Sequence, residues 1–384
     1  MIAILGAGLA GLSLATALTR RGCTESIVVY DVKSHFADNR TWCWWNTPGL
    51  AFEHVADVGW KRWRVTSATR SIVREDALHA YRHLRSAAFY AEALRILDGS
   101  NVRLALGTPI DRVVDEGSHV SLESGSRSFR ADTVFDARAL VAGSAPSLVQ
   151  SVRGWFVRVE EPSFDPLEAT LMDFRVDQRD DLRFAYVLPF SSTTALIEHA
   201  AFSRSPVSRS NHEAALGTFL RTRRGLATWT IEREESGEIP MSATRRPVRI
   251  SPNVFRIGTA GGAVRASSGF AFVRIQRWSD RIASAIVSGQ PIPLAPSRPK
   301  FAALDRALLG IMRDHWSMAP EMYVSLFERA PTAALARFMN DASSVADDVR
   351  IVGATALGLA SSANDARVAR IRDRTLVPRA VISA

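Results

Sequence analysis

The sequence predicts an α/β fold, in which a parallel-sheet unit is interrupted by an antiparallel sheet and followed by helices. Three observations carry this. The chain opens on a buried strand, Ile2 to Leu5, that runs straight into the glycine-rich turn Gly6-Ala-Gly8-Leu-Ala-Gly11 and a helical stretch from Leu12 to Arg21. A second strand entering a glycine-rich turn, Val254 to Gly262, comes late in the chain. Between them, period-two alternation over Arg183–Phe190 and Thr194–Ala200 marks antiparallel strands.

The first turn is the most informative element. A lone G-x-G-x-x-G says little, but this one sits between strand and helix, and Asp31 closes the next strand 20 positions after Gly11. Gly6 permits the tight turn, Gly8 lets the backbone approach a pyrophosphate, and Gly11 lets helix and strand pack closely. Leu9 and Ala10 open the helix, whose N-terminal N–H groups and positive dipole end suit phosphate. Asp31 is placed to accept from ribose hydroxyls. Dinucleotide binding is the reading. Next comes an expected helix, Ala77 to Leu97, that carries Arg85 toward the cofactor or its phosphates. A meander follows from Val102 to Ala131, then the strand Thr133–Arg138 with Asp136 near its end. The late turn, with Gly261, Gly262, Ser268 and Gly269, leads into an amphipathic helix at about 273–287. Meander, strand and second turn together match the layout of glutathione-reductase/hydroxylase-like flavin enzymes, so FAD is the expected cofactor. The expected division is a first FAD-binding part at 1–150, an antiparallel β-sheet substrate domain at 151–246, a return of the FAD domain at 247–290 and a C-terminal helical cap at 298–375, after the Pro-rich stretch 290–300.

Composition removes several alternatives. The 384 residues carry a formal charge of +9, yet the basic residues other than Lys33, Lys61 and Lys300 are arginines spread along the chain without a block, which argues against nucleic acid. Cys23 and Cys43 lack redox or metal spacing, and no metal is expected. His79 and His83 stand four apart on the expected 77–97 helix, where a surface face is the reading. The apolar start lacks a basic n-region, and no stretch of about 18 apolar residues exists, so a cytoplasmic location is expected.

In order along the chain, Gly6-Ala-Gly-Leu-Ala-Gly11, Asn39-Arg-Thr-Trp42, Phe135-Asp-Ala-Arg138, Phe164 to Arg175, Phe184 to Phe190, Leu196-Ile-Glu-His199, Glu238-Ile-Pro-Met241, Gly258 to Gly262 and Ser268-Gly-Phe270 resemble the bacterial lycopene β-cyclases, from residue 1 to roughly 350. The resemblance implies a flavoprotein that uses reduced FAD without net redox turnover, with NAD(P)H at most a reductant. It places Arg40 and Thr41 on the cofactor side. It also implies a hydrophobic polyene as substrate, whose linear ψ-end group becomes a β-ring, and the C-terminal helical cap is expected to dock peripherally on the inner face of a membrane to admit such a water-insoluble molecule. A flavin monooxygenase or oxidoreductase on the same scaffold, a divergent cyclase of another prenylated or polyene compound, and a non-catalytic binder remain alternatives. Oligomeric state is not readable.

Cyclising an alkene requires a proton delivered to carbon, a cation tolerated briefly, and a proton removed. A carboxylic acid in a dry pocket suits the first step, and Glu198 is the candidate. Strand alternation puts Leu196, Glu198 and Ala200 on one face and Ile197 and His199 on the other, so His199 is read as packing or hydrogen-bonding on the reverse face. The cation calls for electron-rich walls. Trp42 and Trp44, in a cluster with Trp45, together with Tyr186 and Phe270, are the candidate walls among nine tryptophans and other aromatics. Asp173 is a further pocket candidate, with an ion pair to Arg175 as its competing role.

Overall fold

The computed structural model describes residues 1–138, 147–244 and 246–375, with the backbone alone for 362–375. Its first sheet has six strands in the order Arg249–Ser251, Val254–Arg256, Thr133–Asp136, Ile2–Leu5, Ile27–Tyr30 and Val102–Ala105. All pair in parallel except the edge strand Arg249–Ser251. Continuous apolar runs such as Ile2-Ala-Ile-Leu5 form such strands because both faces of a parallel sheet are covered. Ile2 and Ile4 pack beneath the helices Leu9–Arg20, Ser86–Leu97 and Phe272–Val287. Ala3 and Leu5 pack against the meander Arg112–Asp115, Val120–Ser124 and Arg127–Ala131.

The second sheet has seven strands, in the order Thr230–Met241, Leu148–Arg158, Thr194–Ser203, Leu182–Pro189, Glu168–Asp173, Arg62–Thr66 and Ser71–Glu75. One face takes the helix Arg209–Arg224 over Trp155, Val187 and Ile197. The other turns toward the C-terminal helices Pro299–Asp314, Ala319–Arg329, Thr332–Met339 and Val345–Thr375. A three-stranded ribbon of Thr41–Trp45, Tyr81–Arg85 and Val58–Trp60 joins the two halves.

Two expectations change here. The segment 1–150 is not one unit, because Arg62–Thr66 and Ser71–Glu75 complete the far edge of the second sheet. The helix expected over 77–97 begins only at Ser86. Residues 81–85 are a strand whose Tyr81 and His83 are buried, so His79 and His83 share no helical face. His83 Nδ1 meets Asp57 Oδ1 at 2.6 Å and His79 Nδ1 meets Asp76 Oδ2 at 3.1 Å.

On the reverse face of the second sheet, His199 Nδ1 lies 2.7 Å from His212 Nδ1, and His212 Nε2 lies 3.2 Å from Ser151 Oγ. Burial pushes His199 from 6.5 to about 3 and His212 from 6.5 to about 4. Both are therefore neutral in the fold, whereas the unfolded chain takes up protons below pH 6.5. The stability this difference confers is complete above that value and is lost as pH falls toward the depressed folded-state values. Urea midpoints measured from pH 7 down to 4 are expected to fall more steeply for the wild type than for a His199→Phe/His212→Leu variant. Parallel curves would remove the pair from the acid response.

Candidate active site

A cavity of about 550 Å³ runs between the two sheets, from the first glycine turn to the C-terminal helices. At the glycine end its wall is Gly8, Leu9, Ala10, Lys33, Arg40, Thr41, Thr259, Ser268 and Gly269. The glycines divide their work. Gly6 has φ +103°, and a Cβ on Gly11 would lie 1.8 Å from the Gly6 carbonyl oxygen, so both are needed to close the turn. Gly8 faces open space, with nothing within 4 Å of an added Cβ. It also stands at the N-cap of the Leu9–Arg20 helix without a side-chain cap, leaving first-turn N–H groups toward the cavity. Across the cavity, buried Gln150 Oε1 and Ser268 Oγ have no partner among the described residues. An elongated ligand with phosphates and polar ring edges fits this end.

Several expected contacts take other positions. The Asp31 carboxylate accepts from the Ala7 N–H at 2.5 Å and the Lys33 N–H at 2.8 Å. It braces the glycine turn from behind, while Lys33 reaches the wall. Asp136 is engaged by Arg138 at 2.8 Å, and its neighbour Ala137 faces the cavity. Gly261 lets its turn pack under Trp278, since a Cβ would meet the Arg256 carbonyl oxygen at 2.5 Å and the indole at 2.7 Å. Gly262 has φ +79°, and neither it nor Gly261 lines the cavity. Arg85 ends a strand instead of riding a helix, and it pairs with Asp38 away from the cavity. Asp173 is 3% exposed and held by Arg175 at 2.6 Å; Leu171 and Met172 line the cavity in its place. Alternation along Thr41–Trp45 also splits the tryptophans. Trp42 and Trp44 share the Rossmann side, where both rings stack on Phe272, at 6.3 and 4.4 Å, while Trp45 turns to the second sheet's core; Trp42 and Trp45 reach the cavity wall and Trp44 lies beneath it.

The opposite end gathers acidic and aromatic side chains. Strand registers put Tyr186, Glu198, Gly154 and Glu235 in one row across four adjacent strands. The flanking row is Phe184, Ala200, Val152 and Gly237, which surrounds the acids with apolar surface. Burial raises the pKa of Glu198 well above its ordinary value, and the neighbouring charge of Glu235 raises it further. Both effects favour the protonated form of Glu198. Tyr186 donates from its hydroxyl to the Tyr81 hydroxyl at 2.9 Å, and burial pushes both phenols and the Cys43 thiol up, so all three remain neutral. Trp45 packs on Tyr81 at 4.7 Å and on Phe270 at 5.5 Å. Tyr323, Phe327, Leu335 and Phe338 of the helical cap close the far side. Glu235, Tyr81 and Cys43 were not singled out by sequence reasoning. Alternation along Thr230–Met241 groups Glu235 with Gly237 and Ile239, but the partner strand is invisible from sequence.

The family model described as lycopene cyclase protein matches residues 2–364. The chain belongs to the lycopene cyclase family. A lycopene beta-cyclase of Pseudescherichia vulneris is 26% identical over 308 residues, covering 78% of this chain and 77% of that protein. One of Paracoccus sp. (strain N81106 / MBIC 01143) is 25% identical over 387 residues, covering 91% and 92%. Among solved structures, a geranylgeranyl bacteriochlorophyll reductase-like protein of Thermoplasma acidophilum gives a TM-score of 0.61 at 13% identity, over 94% of this chain and 96% of that one. A flavin-dependent brominase, Bmp2, gives 0.59 at 14%, over 95% and 98%. These likenesses show a Rossmann-like FAD-binding fold, here with an inserted antiparallel sheet. Among the described residues, no helix of this lycopene cyclase family member is long and apolar enough to cross a membrane.

The contrast between Gly8 and Gly11 gives a test of the glycine end. Gly8→Val is expected to unfold within about 0.5 kcal/mol of wild type yet purify without a bound dinucleotide, read from its absorption spectrum. Gly11→Ala is expected to lose about 2 kcal/mol or more in denaturant unfolding, because the clash is with backbone.

Proposed function

We propose that this chain is an FAD-dependent cyclase that closes a β-ring on the ψ-end of a linear carotenoid, with lycopene as the model substrate and with no net redox change. The observation that carries the reading is Glu198, a carboxyl whose protonated form is favoured by burial inside an apolar, aromatic cavity continuous with the glycine turn. Family membership and the two relatives named lycopene beta-cyclase support it.

Glu198 transfers its proton to the terminal alkene, whose electron pair forms the new C–H bond and leaves a tertiary cation. The neighbouring double bond attacks that cation, closes the six-membered ring and moves the charge to the ring. Loss of one ring proton then restores a double bond, so substrate and product are isomers. Trp45, Tyr81 and Phe270 shield the cation from water and offer ring faces, each worth roughly 0.5–2 kcal/mol. Tyr186, Tyr81 and Cys43 are uncharged, which keeps nucleophilic anions away from it. Reduced FAD, held between Gly8 and Gly269, would supply electron density beside the cation, with NAD(P)H needed only to reduce it once. Leu308, Tyr323, Leu326 and Phe327 form the apolar bed for the polyene chain. A substrate of this kind arrives from a lipid phase, so peripheral membrane contact belongs to the same reading.

Anaerobic incubation with lycopene and reduced FAD tests it. The wild type is expected to give a ring product of unchanged mass, and Glu198→Gln to lower kcat by at least about 100-fold while retaining flavin. An oxygenated product, or equal turnover by Glu198→Gln, would sink the reading in favour of redox chemistry on this scaffold.

A further inference from the structure

Glu198 has a partner that the family resemblance does not single out. Gly154 is the register partner of Glu198 on one side and of Glu235 on the other. In a sheet, residues two strands apart are normally separated by the side chain between them. Here that side chain is absent. A Cβ on Gly154 would lie 2.9 Å from Glu198 Cγ and 3.1 Å from its Oε1, so the Glu198 side chain occupies the space over the glycine, within side-chain hydrogen-bonding range of Glu235.

The surroundings of the two acids are unequal. The Thr41 hydroxyl donates to Glu235 Oε2 at 2.9 Å, and Arg233 Nη2 lies 3.8 Å from the same oxygen. Arg233 is fixed in turn: its guanidinium lies 3.6 Å from the Phe156 ring centroid, and it bonds the Asp38 carbonyl at 2.9 Å. Glu235 is 8% exposed. Among the described residues no cation lies within ion-pair distance of Glu198. Two carboxylates this close do not both ionise in a dry site, and the proton goes to the one without donors.

We propose that Glu235 is a positioning residue: it carries the negative charge of a one-proton carboxyl pair, and through the gap at Gly154 it holds the protonated Glu198 toward the cavity. This rests on the cyclase reading for its chemical purpose and on Gly154, Thr41 and Arg233 for its geometry. The balance is closed within the pair. The Glu198 O–H bond breaks as the C–H bond forms on the alkene. The resulting carboxylate beside Glu235 is then a strong base, and it reforms its O–H bond with the proton that the ring loses. No oxidant or reductant enters.

The test has a readout independent of turnover. In infrared spectra of the purified protein titrated with pH, the carbonyl stretch of a protonated carboxyl is expected to persist through neutral pH in the wild type and to be absent in Glu198→Gln. In Glu235→Gln it is expected to titrate at least about one pH unit lower, and the upper pH limit of lycopene cyclisation is expected to fall by the same amount. Glu235→Asp, which keeps the charge, is expected to restore most of the shift. Should Glu235→Gln fail to fold, Gly154→Ala replaces it, since the added Cβ forces Glu198 away from Glu235 and is expected to lower the band's titration in the same way. An unmoved band in the folded variants overturns the proposal. A chain that shows the band and its shift but cyclises no lycopene overturns the functional reading and leaves the carboxyl pair standing.

Discussion

Burial and the adjacent charge of Glu235 both disfavour the ionised form of Glu198, and much of the fold serves to maintain that condition. Water must be kept from the acid, and so must cations. The seven-stranded sheet achieves the first through alternation. The face bearing Glu198 also bears Leu196, Ala200, Phe184 and Val152, while polar His199 and Arg153 are sent to the other side. The second is achieved by pairing, in a chain with an excess of arginine. Arg153 meets Glu213 at 3.0 Å and Arg183 meets Asp181 at 2.7 Å on the reverse face, and Arg175 is taken by Asp173.

The lid over the acid is held by charge as well as by apolar packing. Arg265 is 2% exposed; it bonds Asp305 at 2.9 Å, and its guanidinium lies 4.1 Å from the Phe338 ring centroid. Ser267 donates to the same carboxylate at 2.6 Å, and Arg274 bonds Asp341 at 2.9 Å. These groups link the second glycine turn and its helix to the C-terminal helices. Asn340 donates to the Trp45 carbonyl at 2.7 Å, which ties the same cap to the cavity wall. Buried pairs of this kind contribute little net stability, but breaking one strands a charge in a dry site. Their value here lies in fixing where the cap sits.

Sequence made visible what is local. The Gly6–Gly11 turn, the strand alternation around Glu198 and the separation of Glu198 from His199 each depend on neighbours within a few residues. The Asp173–Arg175 pair was also readable, because the two lie on one side of a strand end, although the pocket role given to Asp173 was not met. Arg85 was misplaced because Tyr81 to Arg85 has helix-compatible residues, and only pairing with Thr41–Trp45 makes it a strand. The tryptophan cluster reads as a unit, but period two divides it, with Trp42 and Trp44 given to the Rossmann core and Trp45 to the core of the second sheet. Glu235 was out of reach for a different reason. Its meaning depends on a register between strands some eighty positions apart in the chain, and on the missing side chain of Gly154. Neither leaves a local signature.

Thr41 shows how closely the two ends of the cavity are joined. It lines the glycine end and also donates to Glu235, which faces Glu198. The strand that carries it continues through Cys43 and Trp45 into the aromatic wall. A shift of this short ribbon would therefore alter the glycine end, the charge beside Glu198 and the aromatic wall together. The ribbon is fixed by antiparallel pairing to Tyr81–Arg85 and by the Asn340 contact from the cap. Because rigid elements hold all three functions, the site has no need of a mobile loop to assemble the acid. The placement of Glu198 is set by the sheet itself, and the apolar wall opposite is supplied by the C-terminal helices.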